Sequence, residues 1–234
     1  MRGRFYGVSV GPGDPELITL KAKRIIERTG IIVYPVRVRG ERSVALEIVK
    51  GSTDLSGKAI KELLFEMSPD KKRRHENYKD AIDEITSLLI DNDVAMIVLG
   101  DLTVFSTFMR IAGDIRAQGF EAEAVPGVTS FCDGAARAMI PLAMGSEDLK
   151  IVPLVKDDSK IDDALESCSN VVFMKAFGSI DSIAEKTENI GLSRSDVIVV
   201  SNTGMDGQYI GPMDRTRDYG YFTTVIVKNR RKKE

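Results

Sequence analysis

The chain has 234 residues, 43% hydrophobic and 29% charged, with a formal net charge of -2. This is the composition of a soluble globular chain with a real core, in one large domain or two small α/β domains, and without the global basic field that drives non-specific nucleic-acid binding. No apolar stretch approaches the ~20 residues that span a bilayer, and one histidine (His75) with two distant cysteines (Cys132, Cys168) argues against a zinc site.

Met1-Arg2-Gly3-Arg4 leads straight into a strand-like run and lacks a signal-peptide pattern. With two separated cysteines, the chain reads as a reduced, cytoplasmic protein. Apolar runs of strand length fall at 5–10, 31–34, 94–99, 120–125, 149–154, 171–174, 196–200 and 221–227. Most are continuous rather than alternating, the pattern of strands buried on both faces. Helical periodicity lies between them. One helix starts near Glu16, with Ile18, Ala22, Ile25 and Ile26 on its apolar stripe. A second runs from about Asn77, with Tyr78, Ala81, Ile82, Ile85, Leu88 and Leu89 on one face. Further helices are expected at 107–118, 130–139, 161–166 and 182–189. The alternation predicts an α/β fold with a largely parallel sheet in at least the first half. A composition change near 113–119 sets expected domains at 1–115 and 116–234. The basic end, 229–234, reads as a solvated tail.

Three loops follow strand candidates. The first, Val10-Gly11-Pro12-Gly13-Asp14-Pro15-Glu16-Leu17, combines flexible glycines with stiffening prolines. Asp14-Pro15-Glu16 reads as an N-cap, a proline in the first turn and an acidic first turn. The loop serves either as a plain strand-to-helix turn or as a binding site. It lacks the third glycine of a dinucleotide fingerprint and the Gly-Lys-Ser/Thr of a P-loop. Its acidic turn would repel a pyrophosphate and tolerate a cationic ligand such as a sulfonium. The second loop, Gly100 to Thr107, places Asp101 just after a strand, where α/β sheets bind ligands, although Asp101 alone is equally a helix cap. The third runs Val125-Pro126-Gly127-Val128-Thr129-Ser130-Phe131 into a helix rich in small residues. It is no nucleophile elbow, and His75 lies in a charged stretch far from Ser130.

Taken together, in this order, these segments resemble the tetrapyrrole methylase family. The matching pieces are GVSVGPGDPELITLKA at 7–22, VLGDLTVFSTF at 98–108, VPGVTSF at 125–131, IPLA at 140–143, VVFMKA at 171–176 and SNTGMDGQ at 201–208. Val33-Tyr34-Pro35, GERSVALEIVK at 40–50 and LFEMSP at 64–69 look like the branch that methylates C-20 of precorrin-2 or cobalt-factor-2. Leu102 stands where the family often has proline, and Cys132-Asp133 where it often has smaller residues.

The resemblance implies two α/β domains, the second with a mixed sheet. It also implies S-adenosylmethionine held in the interdomain cleft, S-adenosylhomocysteine as product, and a homodimer. It places Val10 and Pro12 at the mouth of the site, and Gly100, Asp101, Val104, Ser106 and Thr107 around the methionine part. Thr129, Ser130 and Phe131 join from the third loop. Met174, Ala176, Thr203, Gly204 and Met205 lie near the adenosine. No catalytic residue is assigned, because methyl transfer from a sulfonium is mainly positioning. A tetrapyrrole acceptor carries several carboxylates, which call for arginine. Arg37, Arg39 and Arg42 are the substrate-side candidates, with Asp14 facing the sulfonium or pyrrole N–H groups. Lys71–Arg74 is a second substrate-side candidate, read in preference as a solvated face, and His75 reads as a surface residue. Other members of the same family, acting on other tetrapyrroles, diphthine or ribosomal RNA, are the alternatives. A dinucleotide-dependent oxidoreductase is disfavoured by the missing glycine.

Overall fold

A computed structural model of the chain describes residues 2–66, 70–154 and 158–229. Expectations resting on 67–69, on the side chains of Lys71 and Arg74, and on the tail 230–234 lie outside the described residues. The chain divides into two compact units, Met1–Thr129 and Ser130–Glu234.

The first unit is built on an all-parallel sheet. In chain order its elements are β1 (Arg4–Ser9), α1 (Leu20–Arg28), β2 (Ile31–Val36), α2 (Val44–Ser52), β3 (Ala59–Leu64), α3 (Lys71–Leu88), β4 (Val94–Val98), α4 (Thr107–Ala117) and β5 (Glu121–Val125). The strand order is β3-β2-β4-β1-β5. Alternate side chains of the central strands enter two separate apolar layers. Phe5, Val33 and Met96 pack with α3 and α4 residues such as Ile85 and Ile111. Tyr6, Val8, Ile32 and Ile97 pack with Ala22, Ile26 and Ile48 of α1 and α2. Burial on both faces is why these strands read as continuous apolar runs.

Four features of this unit differ from the sequence expectation. α1 begins at Leu20 rather than near Glu16, because residues 15–17 form a separate short turn, Ile18 is extended and Thr19 caps the helix. β3 was not anticipated: it is the edge strand, largely exposed, and Lys61 and Glu62 break its apolar run. α2 buries only Ala45, Ile48 and Val49, a stripe too short to stand out against its Gly51-Ser52 end. α3 starts at Lys71 rather than near Asn77, because its first turns are charged and carry no periodicity. Asp70 caps that start by accepting from the Lys72 N–H at 2.8 Å. The division between units falls later than the expected 113–119. β5 pairs in parallel with β1 from Arg4↔Glu121 to Val8↔Val125, and so completes the first sheet.

The second unit contains α5 (Ser130–Arg137), β6 (Leu149–Pro153), α6 (Ser159–Ser167), β7 (Asn170–Met174), α7 (Ile180–Asn189), β8 (Val197–Ser201), β9 (Tyr209–Pro212) and β10 (Thr223–Lys228). Its sheet is mixed, in the order β6-β7-β10-β8-β9. Only β6 and β7 pair in parallel; β10 runs antiparallel to both β7 and β8. Phe173, Val199 and Val225 pack with Ile161, Leu165 and Ile183 of α6 and α7. β9 escaped the sequence reading because its four residues end in Gly-Pro, which resembles a turn. Buried Lys228 donates to the Pro141 carbonyl at 2.8 Å and pairs with Glu147 at 3.2 Å, tying the connection between α5 and β6 to the end of β10.

Candidate functional site

Parallel pairing fixes where the three loops emerge. β4, β1 and β5 are adjacent, so the segments after Val98, Ser9 and Val125 leave the same edge of the sheet side by side. This is the edge at which open α/β sheets bind ligands.

The three loops are tied to one another. Gly11 and Gly100 form a two-residue bridge: the Gly11 N–H donates to the Gly100 carbonyl at 3.2 Å and the Gly100 N–H returns to the Gly11 carbonyl at 2.7 Å. Both glycines have positive φ, 78° and 71°, a conformation that side chains resist. The Leu102 N–H donates to buried Ser9 Oγ at 2.9 Å. Asp101, only 7% exposed, accepts from the Gly127 N–H at 2.6 Å through one oxygen, and from the Thr103 N–H at 2.8 Å and the Thr103 hydroxyl through the other. Gly127 fits only without a side chain, since a Cβ there would lie 2.5 Å from Ser9 Cβ and 2.9 Å from the Gly100 carbonyl oxygen.

Burial by itself pushes the Asp101 carboxyl up. The hydrogen bonds from Gly127 and Thr103 outweigh it and hold the group below the usual carboxylate range. Asp101 is therefore an anion at neutral pH whose two oxygens are already engaged. Its hydrogen bonds brace the second loop against the third, and it does not cap α4. The cap of α4 is Ser106, which accepts from the Phe108 N–H at 3.1 Å. Asp14 caps the short turn Pro15–Leu17 by accepting from the Glu16 N–H at 2.9 Å, as its Asp-Pro-Glu sequence implies. Val10 and Pro12 are buried, Val104, Thr107 and Thr129 partly so. Phe105 adopts φ 52° and stays half exposed, a strained conformation for an aromatic residue.

In the second unit, the sheet gathers another group of expected residues. Thr224 of β10 pairs with Met174 on one side and with Val200 on the other. The segments following β7 and β8 thus leave the same edge, on either side of β10, with Met174 and Ala176 on one and Thr203, Gly204 and Met205 on the other. Both segments turn sharply, at Lys175 (φ 58°) and Asn202 (φ 51°). Ser130 and Phe131 stand in the first turn of α5. A recess of about 450 Å³ lies at the opposite edge of this sheet, lined by Val197 at the start of β8 and Pro212 at the end of β9. It contains none of the expected site residues.

The arginines expected to meet substrate follow β2, on the same edge as the three loops of the first unit. Each is already paired: Arg37 with Glu41 at 2.5 Å, Arg39 with Glu62 at 3.4 Å and Arg42 with Glu47 at 3.8 Å. Sequence reasoning assigned no role to Ser9, Thr103 and Gly127, which tie the loops of the first unit together, or to Asp133, which accepts from Thr203 in the second. Gly127 carried a signal as a glycine inside a strand-end loop, and Asp133 as a departure from the family pattern. Among the described residues, no cluster of three or more His, Cys, Asp or Glu is arranged to hold a metal ion, and no helix is long and apolar enough to cross a membrane.

Comparison with known proteins adds to this geometry. The family model for tetrapyrrole (corrin/porphyrin) methylases matches residues 4–215. A probable cobalt-precorrin-2 C(20)-methyltransferase of Methanocaldococcus jannaschii is 39% identical over 172 residues, covering 74% of this chain and 72% of that one. The cobalt-precorrin-2 C(20)-methyltransferase of Salmonella typhimurium is 30% identical over 234 residues, covering 97% of both chains. The uroporphyrin-III C-methyltransferase of Thermus thermophilus, solved in complex with S-adenosylhomocysteine, shares the fold with a TM-score of 0.69 at 19% identity, over 98% of this chain and 99% of that one.

Proposed function

The chain belongs to the tetrapyrrole (corrin/porphyrin) methylase family, and from that premise we propose that it transfers a methyl group from S-adenosylmethionine to C-20 of precorrin-2 in corrin biosynthesis, with the cobalt-containing form as its substrate. The observation that carries this reading is the match over 97% of both chains to a relative named for that position and that metal state. The M. jannaschii relative bears the same substrate in its name.

The residues present suit a sulfonium cofactor. Loops 10–17, 100–108 and 125–131 contain no lysine or arginine, but they hold Asp14, Glu16 and the ionised Asp101. Such an edge favours a cation and disfavours a pyrophosphate. Gly100 has open space where a side chain would stand, which keeps its backbone open to close approach. When bound, S-adenosylmethionine supplies a methyl group that is already activated, so the chain needs no nucleophile of its own. Val10, Pro12, Gly100, Val104, Ser106, Thr107, Thr129, Ser130, Phe131, Met174, Ala176, Gly204 and Met205 are proposed to hold it. Asp101 and Thr203 contribute through backbone and field, because their side chains are bonded elsewhere. Fixing donor and acceptor in near-attack geometry supplies about 7–11 kcal/mol in favourable intramolecular systems.

On the substrate side, Arg37, Arg39 and Arg42 exchange their glutamate partners for substrate carboxylates. Exposed pairs of this kind are worth only about 0–1 kcal/mol, so the exchange costs little. Asp14 faces the cofactor cation or the pyrrole N–H groups. The enzyme works as a cytoplasmic homodimer in this reading. Calorimetric titration with S-adenosylhomocysteine and, separately, NAD tests the class: binding of the first alone is expected. Binding of NAD alone refutes the methyltransferase reading.

A further inference from the structure

We propose that Asp133 is a positioning residue for the cofactor, acting through Thr203 to hold the segment after β8 in its binding shape. The inference rests on the function proposed above.

The segment needs such a hold. Asn202, Gly204 and Gly207 all have positive φ, 51°, 70° and 72°, within six residues. Backbone of this kind persists only where its surroundings over-determine it. Internal bonds supply part of the constraint: the Met205 N–H donates to the Asn202 carbonyl at 2.9 Å, and the Gly204 N–H to Gln208 Oε1 at 2.8 Å. The Asn202 N–H reaches the Phe222 carbonyl at 3.0 Å. Thr203 lies between these anchors. It is 3% exposed, and its hydroxyl donates to Asp133 Oδ2.

Asp133 is placed for this by its helix. Gly134 lets α5 lie close against β8, where a Cβ would fall 2.5 Å from Val200 Cγ1. The carboxylate of Asp133 is itself 8% exposed, and Arg137 Nε donates to both of its oxygens at 2.9 Å. Burying a carboxylate costs several kcal/mol unless it is paired and hydrogen-bonded. Arg137 neutralises the charge, and Thr203 donates a further hydrogen bond to Oδ2. The same helix carries Ser130 and Phe131 in its first turn. One carboxylate thus locks together two segments of the second unit that the proposed function assigns to the cofactor.

The test measures the Kd for S-adenosylhomocysteine by calorimetry, and kcat and KM for S-adenosylmethionine, in wild type, Asp133→Ala, Thr203→Val, Thr203→Ser and the double variant D133A/T203V. Thr203→Val keeps the side-chain shape and removes only the hydroxyl, so it serves if Asp133→Ala does not fold. Each of D133A and T203V is expected to weaken binding about tenfold, the scale of a hydrogen bond to a charged group. KM should rise more than kcat falls. The double variant should bind no worse than the weaker single variant, because both remove one interaction. Thr203→Ser restores the donor and should stay within about twofold of wild type. Wild-type Kd in folded D133A or T203V overturns the proposal, as does a double variant whose loss is the sum of the singles. Wild-type protein that binds no S-adenosylhomocysteine overturns the proposed function, and this inference with it.

Discussion

Asp101 carries much of the site's organisation in one side chain, because its two oxygens hold the second loop to the third. Asp101→Asn places an amide N–H against a backbone N–H on one side. It is expected to cost on the order of 2 kcal/mol of stability at pH 7. The pH dependence follows from the lowered pKa. The stabilisation from the ionised group is fully present above its unfolded value of about 3.8 and is lost as pH falls through the lower folded value. Urea unfolding should therefore show a wide gap between wild type and variant at neutral pH that closes below about pH 4; a gap of constant size across that range would contradict the role given to the charge. The sequence placed Asp101 at the sheet edge but left its role open. Its partners are 2 and 26 residues away, and the second of these contacts depends on strand order, which no local pattern records. Asp133 was legible only as an unusual residue, since its partner Thr203 lies 70 residues on.

Elements whose burial is complete were legible; of the edge strands, β5 and β6 were legible and β3 and β9 were not. β1, β4, β7 and β8 announced themselves as apolar runs because both faces are covered. β3 and α2 hid because one is an exposed edge and the other a two-turn helix with a narrow stripe. Local capping signals held where they were read, as at Asp14. Where they were not read they still act. Thr19 caps α1 by accepting from the Ala22 N–H at 3.2 Å. Thr19→Ala should lower stability by about 1 kcal/mol while leaving the affinity for S-adenosylhomocysteine unchanged, since the cap touches none of the strand-end loops. Thermal unfolding alongside calorimetry checks both halves of that statement. A changed affinity would mean that α1 shapes the site.

At the scale of the whole molecule, the α/β class and the parallel character of the first sheet followed from alternation and hydrophobic pattern, and the expectation of two units from a composition change and the family resemblance. The position of the division did not, because composition does not tell which sheet the strand Glu121–Val125 joins. The family was legible from the loops because backbone geometry constrains them most tightly: glycines at 11, 100 and 127 stand where no side chain fits or where φ is positive. What the loops do not encode is the acceptor. That choice rests on the relatives and on side chains such as Arg37, Arg39 and Arg42, which are surface pairs in the chain by itself. The most direct test of the account is to incubate the purified protein with S-adenosylmethionine bearing a ¹³C-labelled methyl group and with cobalt-precorrin-2, and to locate the label in the product by NMR. One labelled methyl at C-20 is the result the account predicts. A label at any other carbon, or none on this acceptor or its metal-free form by a protein that binds S-adenosylhomocysteine, would contradict it.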